Sequence, residues 1–221
     1  MSEQKDLTHL HVQRKLRPKI EDVIPLIVDE DKQQTVLDFV AWLCENKMTP
    51  GWSGVHNAWD SKYKGKAICK TSLVADTYGG VKGTWNVKLY LENITRYEKL
   101  IINEGLQNTI WNTLKYCRAE CGGHCTPGAD LIFLGKEFKG VCNQNWIFIT
   151  IRNETEIAAI KRLIELERQA RNENAEYDKK IKNQTKKKVN ELTNSVKLYE
   201  NFKNFDIAKC KNGIICILPV L

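Results

Sequence analysis

Four cysteines constrain this chain more than any other feature. Cys117, Cys121 and Cys125 recur at every fourth residue, and Cys142 follows seventeen residues later. In a continuous helix eight residues advance about 12 Å, too far for three thiolates to share one tetrahedral ion at sulfur bond lengths near ~2.3 Å. A helix must therefore end among them. Gly122-Gly123 has the chemistry for that, because glycine accepts the left-handed backbone that closes a helix. Thr126-Pro127-Gly128 turns the chain again before Cys142. The spacing predicts a helix end, a knuckle and a return strand on which four sulfurs converge. Zinc is the first expectation for such a site, since four thiolates close its tetrahedron. Reduced half-buried thiols, or one disulfide, are the second. An iron–sulfur or redox site is the third, and the spacing fits neither common ferredoxin pattern. His124 is a substitute ligand in principle, but a solvent-facing side chain is the simpler expectation. Cys44, Cys69, Cys210 and Cys216 sit in apolar settings and read as core residues.

Compartment bears on the thiols. The N-terminus, Met1-Ser2-Glu3-Gln4-Lys5-Asp6, lacks the apolar stretch of a signal peptide. Residues 214 to 221, the longest apolar run, are too few to span a bilayer and contain Pro219. A cytoplasmic protein without a membrane partner is expected, and there thiols stay reduced.

Of the 221 residues, 42% are hydrophobic, enough for a core, and the pattern along the chain predicts an α+β fold. Residues 1 to 31 read as an arm, with Pro25 turning the run Val23 to Val28 into an edge strand or extended segment. Residues 32 to 170 read as a core domain. Val36, Leu37, Phe39, Val40 and Leu43 predict a helix over 32–46. Residues 59 to 69 predict a hairpin turning at Gly65, and residues 84 to 91 alternate as a strand. Residues 94 to 116 return to helical spacing with a break at Gly105. Short strands are expected over 131–134 and 146–151. A helix follows over 154–170, capped by Asn153 or Thr155. Residues 171 to 221 read as a helical extension, either one long helix or a helical hairpin turning near Asn183. A terminal hairpin is expected over 207–221, around Asn212-Gly213.

Aromatic residues crowd the predicted sheet. Trp59, Tyr63, Trp85 and Tyr90, with Lys64 and Glu92 as polar groups, are the candidate small-molecule site. Packing in the core is the stronger expectation for aromatics in strands. No Ser-His-Asp order, metalloprotease helix or nucleotide fingerprint is present, so catalysis has little support. His9, His11 and His56 have no acidic partner at local spacing. The net charge of +7 is concentrated in Lys179, Lys180, Lys182, Lys186, Lys187 and Lys188. That run lacks interleaved aromatics for stacking on bases, so nucleic acid is not the expected partner. The apolar C-terminal residues have to pair with something, in their own chain or in a second copy, which makes a homo-oligomer one expectation.

Residues 111 to 117, then Cys121, Cys125 to Gly128 and Leu134 to Cys142, resemble a family of uncharacterised bacterial proteins found in clostridia and other gut anaerobes. Lys62 to Cys69 and the strand from Trp85 to Leu91 are similar to the wider DUF3788-like group, with its lysine-rich hairpin. The resemblance covers roughly residues 36 to 170. It implies a small α+β domain and kinship with GyrI-like ligand-binding folds, and it implies no activity. Residues 172 to 221 depart from the pattern.

Overall fold

The computed structural model describes residues 7–75, 81–114, 128–141 and 147–210. Two compact units divide the chain, one ending at Arg171 and one beginning at Asn172. The first is α+β. Three helices, α1 (Leu10–Leu16), α2 (Ile20–Ile27) and α3 (Glu30–Glu45), precede four strands. These are β1 (Pro50–Trp52), β2 (Ala58–Tyr63), β3 (Lys66–Leu73) and β4 (Trp85–Leu89). A 3-10 turn (Ile94–Arg96) and two short helices, α4 (Glu98–Asn103) and α5 (Gln107–Trp111), lead to a hairpin of β5 (Ala129–Phe133) and β6 (Lys136–Val141). Strand β7 (Ile147–Thr150) and the helix α6 (Glu154–Cys210) follow.

The main sheet is antiparallel throughout, in the order β1-β2-β3-β4-β7. Register sorts its residues into two faces, because successive side chains alternate. Trp59, Thr71, Val87 and Ile149 form one row across four strands, and all four are buried. Asp60, Lys70, Lys88 and Phe148 form the next row, on the opposite face, and none of them is buried. The β2–β3 turn is Lys64-Gly65, with φ of 50° and 81°. Positive φ at both central residues is what a tight hairpin matched to strand twist requires. Leu134-Gly135 repeats the device between β5 and β6.

The N-terminal segment differs from the expected arm. Ile20, Val23 and Ile24 are fully buried, with Ile27 packed beside them. Their spacing is helical, and the continuous apolar run from Val23 to Val28 hides it in the sequence. Pro25 sits inside α2, where it removes one internal hydrogen bond. Burying three aliphatic side chains, at about 1.5–3 kcal/mol each, outweighs that loss. Buried Gln13 pins α1 to the loop before β2: its amide donates to Asn57 Oδ1 at 2.5 Å and accepts from the Asn57 amide N–H at 2.9 Å.

Helix α6 is one continuous element, without a turn at Asn183. The Asn153 side chain caps it, accepting from the Glu156 N–H at 3.0 Å. Ile157, Ile160, Leu163 and Ile164 enter the core from its first turns. The helix continues through Cys210, so residues 207 to 210 are helical rather than part of a hairpin, and 211 to 221 lie outside the described residues.

One polar network ties α6 to the sheet. Glu167 has no exposure to solvent, and Arg171 is 8% exposed. Arg171 Nε donates to Glu167 Oε1 at 2.8 Å, and the Tyr97 hydroxyl donates to Glu167 Oε2 at 2.7 Å. The Asn93 side chain and backbone N–H donate to the same carboxylate at 2.9 and 3.1 Å. The remaining Arg171 nitrogens reach the carbonyls of Lys66, Ala67 and Tyr90 at 3.0–3.2 Å. Burial, reinforced by the Glu167 contact, holds the Tyr97 hydroxyl well above its ordinary pKa. Glu167→Ala leaves a buried guanidinium without its counter-charge, which costs about 3–5 kcal/mol. Urea unfolding of the variant is expected to show that loss, and to show part of it recovered in Glu167→Ala/Arg171→Met. A loss below ~1 kcal/mol would mean the network is not what holds the helix.

Candidate functional site

Helix α5 ends at Trp111 and the chain turns at once: the N–H groups of Thr113 and Leu114 donate to the carbonyls of Ile110 and Trp111 at 3.0 and 3.1 Å. This turn faces β7 and the start of α6 across a cleft of about 400 Å³. Thr109, Asn112, Thr113 and Leu114 line one side, and Phe148, Ile149 and Thr150 line the other. Arg152 and Glu156 complete it. Three residues are apolar, four carry hydroxyl or amide groups, and one charge of each sign stands at the helix start. The volume is within the range of small-molecule sites, roughly 300–1,000 Å³. The Glu156 carboxylate accepts from the Arg152 N–H at 2.6 Å, which fixes the carboxylate against the backbone.

Two stretches of the cleft lining adjoin the cysteine segment in sequence. Leu114 stands three residues before Cys117, and β7 begins five residues after Cys142. The β5–β6 register pairs Ala129 with Val141, so the chain ends that lead to Cys125 and Cys142 leave the hairpin together. Cys117, Cys121, Cys125 and Cys142 themselves lie outside the described residues. Among the described residues no group of three His, Cys, Asp or Glu side chains is placed to hold a metal ion.

None of the six residues expected to bind a small molecule lines this cleft. Trp59 and Trp85 are 0% and 1% exposed, on the core face of the sheet. The Trp59 indole N–H donates to the Pro18 carbonyl at 2.9 Å, and Trp85 packs on Phe39 with ring centroids 5.2 Å apart. Arg168 lies 5.1 Å over the Tyr63 ring. Lys64 supplies the β2–β3 turn. Tyr90 follows β4, with the Lys88 ammonium 5.0 Å over its ring. Glu92 pairs with Lys66 at 3.7 Å in solvent. The core reading therefore holds for both tryptophans. The cleft residues left no mark in the sequence, because they come from three segments of ordinary composition.

The outer sheet row has an electrostatic asymmetry. Lys70 and Lys88 are directly opposed, and Asp60 reaches Lys70 at 3.5 Å. Burial, and then the neighbouring Lys70 charge, lower the Lys88 pKa. On the core face Cys69 is fully buried opposite Ser61. Cys44 is only half-buried. Among the described residues no helix is long and apolar enough to cross a membrane. Compared with protein-family models, with curated proteins and with solved structures, the chain matches none.

Burial pushes the Cys69 thiol up from 9.0 to about 12, and Ser61 offsets part of that rise. Below the unfolded value both states are neutral. As pH climbs from about 9 toward 12 the unfolded thiol ionises and the folded one does not, so stability falls by up to ~1.4 kcal/mol per pH unit. Urea midpoints between mildly and strongly alkaline pH are therefore expected to drop more for the parent than for Cys69→Ala. Equal slopes for the two would show that the thiol is already ionised or accessible.

Proposed function

We propose that the chain is a non-enzymatic small-molecule-binding domain, with a zinc ion held by Cys117, Cys121, Cys125 and Cys142 as a structural clamp beside the binding cleft. The observation that carries this reading is the cleft itself, bounded by the segments that lead into the cysteines. Its mixed lining suits a small polar ligand with one apolar face, resting on Phe148 and hydrogen-bonded by Asn112, Thr150 and Arg152. The paired exit of the β5–β6 ends supports the metal half of the reading, because a four-sulfur site needs two distant segments brought to one place.

Two measurements test it. Metal analysis of anaerobically purified protein is expected to give one zinc per chain, and Cys121→Ser or chelation should lower the melting temperature. A coloured preparation with visible absorption would replace zinc by an iron–sulfur cluster. A thermal-shift screen of small metabolites is expected to yield ligands whose binding weakens about tenfold or more in Arg152→Ala and in Phe148→Ala, a loss of ~1.4 kcal/mol. Ligands indifferent to both substitutions would remove the cleft from the reading.

A second reading has its own observation. Beyond Arg171, Tyr177, Ile181, Val189, Leu192 and Val196 of α6 are exposed. Such a helix serves association, and residues 172 to 210 act as an oligomerisation element. Removing residues 172 to 221 is expected to lower the number of chains per particle in solution, and an unchanged oligomer would sink this reading.

A further inference from the structure

The exposed side chains of the second unit form a pattern, and the pattern constrains the partner. At 100° per residue, Ile181, Thr185, Val189, Leu192 and Val196 fall within an arc of about 80°. From Ile181 to Leu192, three steps span eleven residues, close to the helical repeat, so the stripe runs nearly straight along α6. Val189, Leu192 and Val196 are 53%, 67% and 56% exposed, far above what a covered seam shows. A helix keeps its stability chiefly through packing of its apolar face, and every side chain from Ala175 to Asn194 is exposed here. A narrow stripe of branched residues is what a second helix covers.

We infer that a second copy of this chain covers the stripe, with the two α6 helices antiparallel about a two-fold axis beside Val189. This rests on the association reading and deepens it. The stripe is self-complementary under that symmetry. Ile181 meets the partner's Val196, Thr185 meets the partner's Leu192, and Val189 meets the partner's Val189. Charge selects the direction. Residues 179 to 188 carry six lysines and no acid, whereas 189 to 198 carry Glu191 and Lys197. A parallel, in-register pair sets the lysine run against itself, and like charges along a seam repel. The antiparallel pair sets it against the neutral half of the partner.

Sedimentation of the full chain across a range of concentrations is expected to show twice the chain mass of 25.5 kDa, and Val189→Glu, which places two carboxylates at the axis, is expected to return it to the single mass. Direction is read separately. A benzophenone side chain at position 181, in a mixture of isotopically light and heavy chains, is expected to cross-link near residue 196 of the other chain. Cross-links to residue 181 of the other chain would overturn the antiparallel arrangement and leave the association reading standing. A single-chain mass at every concentration would overturn both, including the case in which residues 211 to 221 of the same chain cover the stripe. A double mass that survives both Val189→Glu and Leu192→Glu would place the contact elsewhere and overturn the pairing.

Discussion

Glu167 is a carboxylate removed from water, and the first unit is arranged around satisfying it. An isolated buried charge costs several kcal/mol, so the fold is only stable if a cation and several donors converge on that point. Arg171 supplies the cation from the next turn of α6, Tyr97 and Asn93 supply the donors, and the leftover guanidinium nitrogens take the carbonyls of Lys66, Ala67 and Tyr90. Those carbonyls lie at the start of β3 and just past the end of β4. The network therefore sets where the helix crosses the sheet more narrowly than aliphatic packing does, because hydrogen bonds have direction and hydrophobic contacts do not.

That frame gives the proposed site its character. The cleft has walls on an α-helical turn, a strand and a helix start, so its shape is held by regular structure on three sides. Its lining mixes apolar, hydroxyl and amide groups with one charge of each sign, the surface on which the proposed small-molecule reading draws. The buried thiol of Cys69 adds to the case against thiol chemistry in the sheet, since a thiolate is the reactive species and burial opposes it. Function in this reading is divided between the cleft in the first unit and an association stripe in the second.

Much of the secondary structure was legible from residue spacing. The helix at Val36, Phe39, Val40 and Leu43, the Gly65 hairpin, the break at Gly105 and the cap at Asn153 each rest on local chemistry, and local chemistry is written in order along the chain. The N-terminal segment departs from its sequence pattern for a physical reason. Pro25 and an unbroken apolar run imitate a strand, and only the burial of Ile20, Val23 and Ile24 against the sheet makes the helix worth its missing hydrogen bond. The six proposed ligand residues were chosen by type and neighbourhood in sequence. Trp59 and Trp85 turn inward, Tyr63 packs against the same core, and Lys64 makes a turn, because a strand sends alternate residues to opposite faces and a turn takes a residue out of both.

By itself the sequence determined the class of fold, several local turns and caps such as Gly65 and Asn153, the unusual thiol spacing, and the chemical unevenness of the last fifty residues. Those follow from properties each residue carries anywhere. The tertiary structure alone decided that Glu167 and Arg171 are interior, that Thr109, Phe148 and Arg152 border one cleft, and that the stripe from Ile181 to Val196 stays in water. Each depends on which surfaces meet across long stretches of chain, and burial is a property of that meeting rather than of any residue.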